Sequence, residues 1–155
     1  NISAVDHLIF QKDKLWWLFT NIDLTKQVEN FESNLSIFYS KEGPLTDNWI
    51  PHSLNPIFSD CMKGRNGGFI KNDNKFYRVN QVPGFNIYGK ELIINEIIKL
   101  NESEYQESYH SNIEPNFFKN IFATHHQHSL NKYTAIDFCT KKYLWSKNDV
   151  DHFIF

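Results

Sequence analysis

Long hydrophobic runs are missing from this chain. Its longest purely apolar stretch covers residues 15–19, whereas a membrane-spanning helix needs about 20 such residues. No signal-peptide pattern opens the chain either. The formal net charge is −2, so no basic excess exists for nucleic acid or an anionic membrane surface. We therefore predict no membrane span and no nucleic-acid partner, and we expect a cytoplasmic location.

Cysteine is also scarce. Cys61 and Cys139 lie 78 positions apart (139 minus 61) and belong to no CxxC pair. A disulfide framework or a zinc knuckle is therefore not expected, and we predict two reduced, buried thiols.

One histidine-rich segment, residues 125–128, raises the question of a metal. On a strand, His126 and His128 would face one side and His125 the other. Two imidazoles can ligate zinc, but a third ligand is needed and no spacing supplies one. No phosphate-binding loop, dinucleotide fingerprint or serine-nucleophile motif is present. We predict neither a metal nor a cofactor.

Aromatic residues are plentiful, at 16%, and glycines number only 6, a composition that favours strands. The aromatics recur in a repeated phrase. Residues 10–19 read as a strand, a polar turn and an aromatic strand, and residues 69–77 repeat this 59 positions later (69 minus 10). Residues 129–138 resemble a more divergent third copy of the same segment. A hairpin repeated at this period predicts a stack or ring of small β-sheets.

The predicted fold class is all-β, a β-propeller with about three blades of antiparallel four-stranded sheets over residues 1–60, 61–117 and 118–155. A helix is the rival interpretation of residues 91–100, but their β-branched run favours a strand. The strands are predicted at residues 4–11, 15–22, 34–40, 49–52, 63–71, 76–81, 91–100, 104–110, 122–128 and 133–140. Propellers need at least about four blades. Because the chain also starts at Asn1, we expect a piece of a larger propeller, completed by missing blades or by another chain.

Polar residues at the inner strands suggest a site. Asp6 lies four residues before Phe10, Arg65 four before Phe69, and His125 lies 60 after Arg65 (125 minus 65). If the inner strands surround one axis, these three side chains face one cavity. Charges on apolar strands are costly unless paired or solvated, so they mark either a ligand site or an ion-pair plug between blades.

The two glycines after Asn66 would let the backbone approach a ligand or a neighbour, although a bulge is equally compatible. Planar donors and acceptors on the second unit are typical of sugar binding, namely Arg78, Gln81 and Asn95. Glu96 lies between apolar residues, as a general acid would, although a buried salt bridge to Arg78 or Arg65 is the alternative. With Asp6, Glu96 forms the only carboxylate pair we nominate for glycosidase chemistry.

An ordered series of motifs resembles a known family. Residues 43–57 resemble a "Pro-Leu-Gly-Pro-Trp-x-Pro-His-x-x-Asn-Pro-Val" stretch, and residues 65–68 resemble the "Arg-Pro-Ala-Gly" that follows it. Residues 77–81 resemble "Tyr-Arg-Pro-Ala-Gln". Further matches are Tyr88-Gly89, residues 94–97 (as "Leu-Asn-Glu-Ile") and Thr124-His125. In this order they resemble the N-terminal domain type named for glucosamine inositolphosphorylceramide transferase.

That resemblance covers residues 4–141 and implies the later blades of a five-bladed propeller similar to glycoside hydrolase family 43. In bacteria, similar domains are joined to sugar-formyltransferase-like or glycosyltransferase modules. The leading hypothesis is thus a module that binds carbohydrate or nucleotide sugar within a larger glycan-modifying protein. The alternatives are an active glycosidase or glycosyl-transfer enzyme, and a non-catalytic interaction scaffold, for example one accessory to a sugar formyltransferase.

Overall fold

The computed structural model describes residues 4–22, 34–84, 87–130 and 132–140. In these ranges the chain consists of strands and connecting loops, with no helix. The strands are β1 (Ala4–Lys12), β2 (Leu15–Ile22), β3 (Asn34–Ser40), β4 (Ile50–Pro51), β5 (Phe58–Ser59), β6 (Asn66–Asn72), β7 (Lys75–Gly84), β8 (Ile87–Leu100), β9 (Tyr105–Ile113), β10 (Ile121–Ala123), β11 (Gln127–Leu130), β12 (Tyr133–Ile136) and β13 (Cys139–Thr140). The prediction of an all-β chain is confirmed, and so is the preference for a strand over a helix at residues 91–100.

The first sheet contains β1 to β5. Its order is β1-β2-β3-β4, with β5 pairing the other end of β3, and all pairs are antiparallel. The hairpin turns at Asp13 and Lys14, whose φ angles of 53° and 65° place both in the left-handed region that tight two-residue hairpin loops require. Pro51 lies in the short edge strand β4, where its missing N–H removes no central ladder bond.

The second sheet contains six strands in the order β12-β11-β6-β7-β8-β9. From β6 to β9 it is an antiparallel meander of four consecutive strands, as the repeat predicts. The break predicted at residues 82–84 is wrong, because β7 continues to Gly84 through a register shift. A local irregularity therefore replaces the expected end of the strand.

The third unit differs from its prediction. An inner strand over residues 122–128 is wrong, since β10 ends at Ala123 and β11 begins at Gln127. The predicted hairpin does form, between β11 and β12, but β11 pairs in parallel with β6 and so extends the second sheet. Strand β10 pairs separately with β13. The predicted loop at residues 25–33 and the tail at 142–155 lie outside the described residues.

The core lies between the two large sheets. Phe10 of β1 stacks on Phe69 of β6, with ring centroids 4.2 Å apart and planes 18° apart. Phe10 and Phe69 occupy equivalent positions in the two copies of the repeated segment, so successive units contact each other through this repeated phenylalanine. Buried neighbours from both sheets complete the cluster: Leu8, Trp17, Phe19, Leu35, Ile37, Ile97 and Leu100. The burial of these aromatic and aliphatic side chains is what holds the sheets face to face.

Candidate functional site

Asp6 and Arg65 meet where the inner strands of the two sheets begin. The Nε atom of Arg65 donates to Asp6 Oδ2 at 2.9 Å, and the two side chains are only 16% and 20% exposed, respectively. Asp6 adopts a φ of 54° at a register shift between Val5 and Leu8, which turns its side chain out of the regular ladder. The predicted convergence of these two residues is therefore present as an ion pair.

His125 lies in the turn between β10 and β11, and its backbone carbonyl approaches Gly67, two positions after Arg65. A side-chain carbon added at Gly67 would stand 3.1 Å from the His125 carbonyl oxygen and 3.0 Å from the Gln81 side chain. Gly67 therefore brings the His125 backbone close to both Arg65, two positions away, and Gln81. We call Asp6, Arg65 and His125 the polar mouth.

Asp137 holds the turn that carries His125. Its Oδ1 accepts the backbone N–H groups of His125 at 2.8 Å and His126 at 2.6 Å. Its Oδ2 lies 3.2 Å from Nδ1 of His125. Partial burial is the main cause that lowers the pKa of His126, against the opposing pull of Asp137 and, more weakly, Asp6.

Arg78 lies in the core and not at the polar mouth. Its side chain is fully buried, with Nε and Nη2 donating to the two carboxylate oxygens of Glu107 at 2.8 and 2.7 Å. Nη2 also donates to the Lys63 carbonyl at 2.8 Å. Burial alone disfavours the guanidinium charge, yet the attraction and hydrogen bonds of Glu107 raise the pKa of Arg78. The same burial raises the pKa of Tyr105, which hydrogen-bonds Glu107.

Buried amides connect this ion pair to the segment that precedes β6. Asn95 donates to Asn80 at 2.8 Å, and Asn80 donates to the Met62 carbonyl at 3.0 Å. The backbone N–H of Asn66 donates to Asn21 Oδ1 at 3.0 Å, and its side-chain amide donates to the Asp6 carbonyl at 3.0 Å. Gln81 donates to the Asn66 carbonyl. These bonds satisfy the carbonyls of Met62 in the loop before β6, of Asp6 in β1 and of Asn66 in β6.

Glu96 lies apart from both groups. It pairs with Lys75 at 3.0 Å, next to the hairpin turn, and not with Arg78 or Arg65 as the salt-bridge alternative predicts. Side chains alternate along β8, so Glu96 faces away from the side that carries Asn95. Tyr77, opposite Glu96, pairs with Ile70, which lies five positions after Arg65. At roughly 3.3 Å per residue along β6 and about 4.8 Å for each of two strand spacings, Glu96 lies on the order of 20 Å from Arg65. The seven predicted residues thus fall into three groups. Gln81 lies near the polar mouth, Asn95 belongs with Arg78 to the buried network, and Glu96 forms a separate ion pair with Lys75.

The sequence interpretation missed Asp137 and Glu107, and it considered His126 only as a metal ligand. Glu107 had a usable signal, because the alternating pattern in β9 places it on the same face as Tyr105. Asp137 had none, since it follows His125 by 12 positions across two short strands. The cysteine prediction is wrong as regards burial, because Cys61 and Cys139 are both exposed. Within the described ranges, no three side chains of the metal-ligating types cluster.

The arrangement thus defines a class: an all-β module whose stacked sheets meet at a polar mouth. Residues 1–142 match a family model described as "Glucosamine inositolphosphorylceramide transferase 1, N-terminal". The chain belongs to this family of glycosyltransferase-related N-terminal domains, which confirms the resemblance noted from its motifs. A search of curated proteins and a search of solved structures each found no match. In the described part of the chain, no helix has the length and apolarity to cross a membrane.

Proposed function

We propose that this chain is a β-propeller module that binds carbohydrate or nucleotide sugar within a larger glycan-modifying protein. The observation that carries the proposal is the meeting of Asp6 and Arg65 at equivalent positions of two successive units, with the His125 carbonyl close to Gly67, two positions after Arg65. Carboxylate, guanidinium and imidazole supply acceptors and planar donors suited to sugar hydroxyls and to phosphate. The family is named for a glucosamine transferase, which supports a sugar-related role.

The propeller part of the proposal draws on two features. Two meanders stack face to face through their repeated aromatic positions, as adjacent blades do. The far side of the second sheet also carries a cleft of about 160 Å³, lined by Ile70, Tyr77, Ile94 and His110 among others. A further blade, from the larger protein or from another chain, would cover such a partly apolar face.

The test is a glycan and nucleotide-sugar array probed with the full chain, followed by calorimetry of each positive compound. Arg65→Met should weaken binding at least tenfold, or about 1.4 kcal/mol, because the mouth loses its planar donor. Lys75→Met is the matched control, since it removes a cation from an ion pair on the same sheet away from the mouth. Absence of any binding by the wild-type chain would refute the proposal.

A non-catalytic scaffold is a second candidate, and the Arg78 network favours it. Arg78, Glu107 and the buried amides join the sheets to the loop between them, as in a polar plug that cements blades. On this reading Arg65→Met changes stability alone. An enzyme using Asp6 and Glu96 finds less support, because each carboxylate is paired with its own cation on different parts of the fold. Loss of glycan turnover by the parent protein in Glu96→Gln would favour the enzyme.

A further inference from the structure

A small cavity opens where the His125 turn meets the segment after β12. Its volume is about 190 Å³, and it is lined by Ala123, Thr124, His125, Asp137, Phe138 and Cys139. The Thr124 hydroxyl donates to the Asp137 carbonyl at 2.9 Å, which joins the turn after β10 to the segment after β12. The cavity therefore lies between two segments that a hydrogen bond holds together.

The polar wall consists of Asp137 and His125. Three contacts fix the Asp137 carboxylate: two backbone N–H groups and the His125 ring. Its side chain nevertheless stays 52% exposed, and that of His125 31%. A carboxylate oxygen can accept further hydrogen bonds while it holds these partners, because each oxygen has two lone pairs. This wall thus presents oriented acceptors to solvent without needing to rearrange.

The other wall is aromatic. The Phe138 ring contacts Phe117 and Phe118, with centroids 5.9 and 5.8 Å away, and Phe117 and Phe118 contact each other at 5.5 Å. Phe118 is 64% exposed and Phe138 37%. A cluster of three phenyl rings with this much open surface marks an interaction site more often than a solvated surface.

These two walls select among ligand chemistries. A phosphate or carboxylate would meet the fixed charge of Asp137, and a purely apolar ligand would leave that carboxylate desolvated and unpaired. A neutral ring with hydroxyls on its rim and C–H bonds on its face satisfies both walls. We infer that this cavity is a subsite for one pyranose ring, stacked on Phe138 and hydrogen-bonded to Asp137 and His125. The inference rests on the proposed carbohydrate function and extends it from the polar mouth, with which it shares His125, to Asp137 and Phe138.

Thiol footprinting offers a direct test, because Cys139 lines the cavity and Cys61 does not. The full chain is alkylated with iodoacetamide, with and without the methyl glycosides of glucose, galactose, mannose and N-acetylglucosamine up to the millimolar range. Mass spectrometry follows both exposed thiols. We expect at least one glycoside to slow alkylation of Cys139 several-fold and to leave Cys61 unchanged.

Variants separate stacking from simple packing. Phe138→Leu keeps an apolar side chain but removes the ring, so protection of Cys139 should disappear. Phe138→Trp keeps a ring and should retain protection. Tyr109→Leu is the control, because Tyr109 is as exposed as Phe118, at 64%, and does not line the cavity.

The outcomes distinguish the two proposals. Binding on the array without protection of Cys139 overturns the pyranose subsite and leaves the carbohydrate function standing. Protection that persists in Phe138→Leu also overturns the subsite as described. If neither the array nor footprinting detects any sugar, both proposals fail together.

Discussion

At the scale of single residues, Arg78 has the most demanding environment in the described chain. A fully buried guanidinium is stable only because Glu107 offers a two-oxygen partner and Lys63 a carbonyl. The charge of Arg78 therefore has a structural role. This role explains why arginine, a residue type that is typical of sugar binding, lies here in the core and does not face a ligand.

Replacing Arg78 by Met should lower the free energy of unfolding by about 3–5 kcal/mol, because Glu107 remains buried without its cation. Urea denaturation followed by tryptophan fluorescence measures the loss. The double variant Arg78→Met/Glu107→Leu should recover most of it, since no charge stays buried. Lys75→Met, which breaks an exposed pair, should cost at most about 1 kcal/mol, and an equal cost for both single variants would contradict the assignment.

His126 provides a pH-dependent prediction. Partial burial lowers the pKa of His126 below its ordinary value near 6.5, so the unfolded chain binds this proton more readily than the folded chain. Stability contributed by the neutral ring is complete above that value and is lost as the pH falls below it. Denaturation should give a lower free energy of unfolding at pH 5.5 than at pH 7.5, and this difference should be smaller in His126→Gln. Because Asp137 opposes the shift, Asp137→Asn should lower the pKa of His126 further, as NMR titration of the imidazole would report.

At the scale of strands, the sequence was informative wherever a strand and its partner are close in the chain. The hairpins β1–β2 and β6–β7 have alternating aromatics around turn residues, and both form as predicted. Pairing between strands that are distant in the chain could not be predicted. Nothing in residues 127–130 indicates that they run parallel to β6, because a four-residue strand carries too short a pattern to select a distant partner.

That parallel pairing depends on Gly68. Its φ is +135°, and a side-chain carbon there would stand 1.7 Å from the Gln127 carbonyl oxygen. Gly68→Ala should therefore cost about 2–3 kcal/mol and speed amide exchange of residues 127–129, because β11 must move away. Gly43→Ala is the matched control, with a φ of +146° but no atom within 4 Å. Similar losses for the two variants would show that backbone strain alone, and not the close approach, is responsible.

At the scale of the whole molecule, the repeat predicted both the two stacked sheets and part of the site. Asp6 and Arg65 meet because they precede Phe10 and Phe69 by the same interval, and those rings stack. Arg78, Asn95 and Glu96 lie away from the polar mouth, and this could not be predicted because the two faces of a strand cannot be assigned without knowing which sheet covers which face. Arg78 and Asn95 turned out to face the neighbouring sheet, whereas Glu96 faces the other side.

The contact between the repeated rings should dominate the association of the sheets. Phe69→Ala should destabilise the chain by about 3–5 kcal/mol, because Phe69 is only 9% exposed and a cavity would remain. Phe10→Ala should behave similarly, and the double variant should reveal a coupling of about 1 kcal/mol. Phe122→Ala, at a ring that is 37% exposed, should cost much less. Strict additivity of the two core variants in denaturation measurements would contradict direct stacking.

The parallel bridge between β6 and β11 also sets an order of events during synthesis. Gly68 and Gln127 are 59 residues apart in the chain (127 minus 68), so the outer edge of β6 remains unpaired on the ribosome until β11, at Gln127–Leu130, has emerged. The first sheet needs only early residues and can form while translation continues. A polypeptide released before residue 127 would expose an unpaired strand edge, which recruits other chains. Such truncated products should aggregate more readily than the full chain.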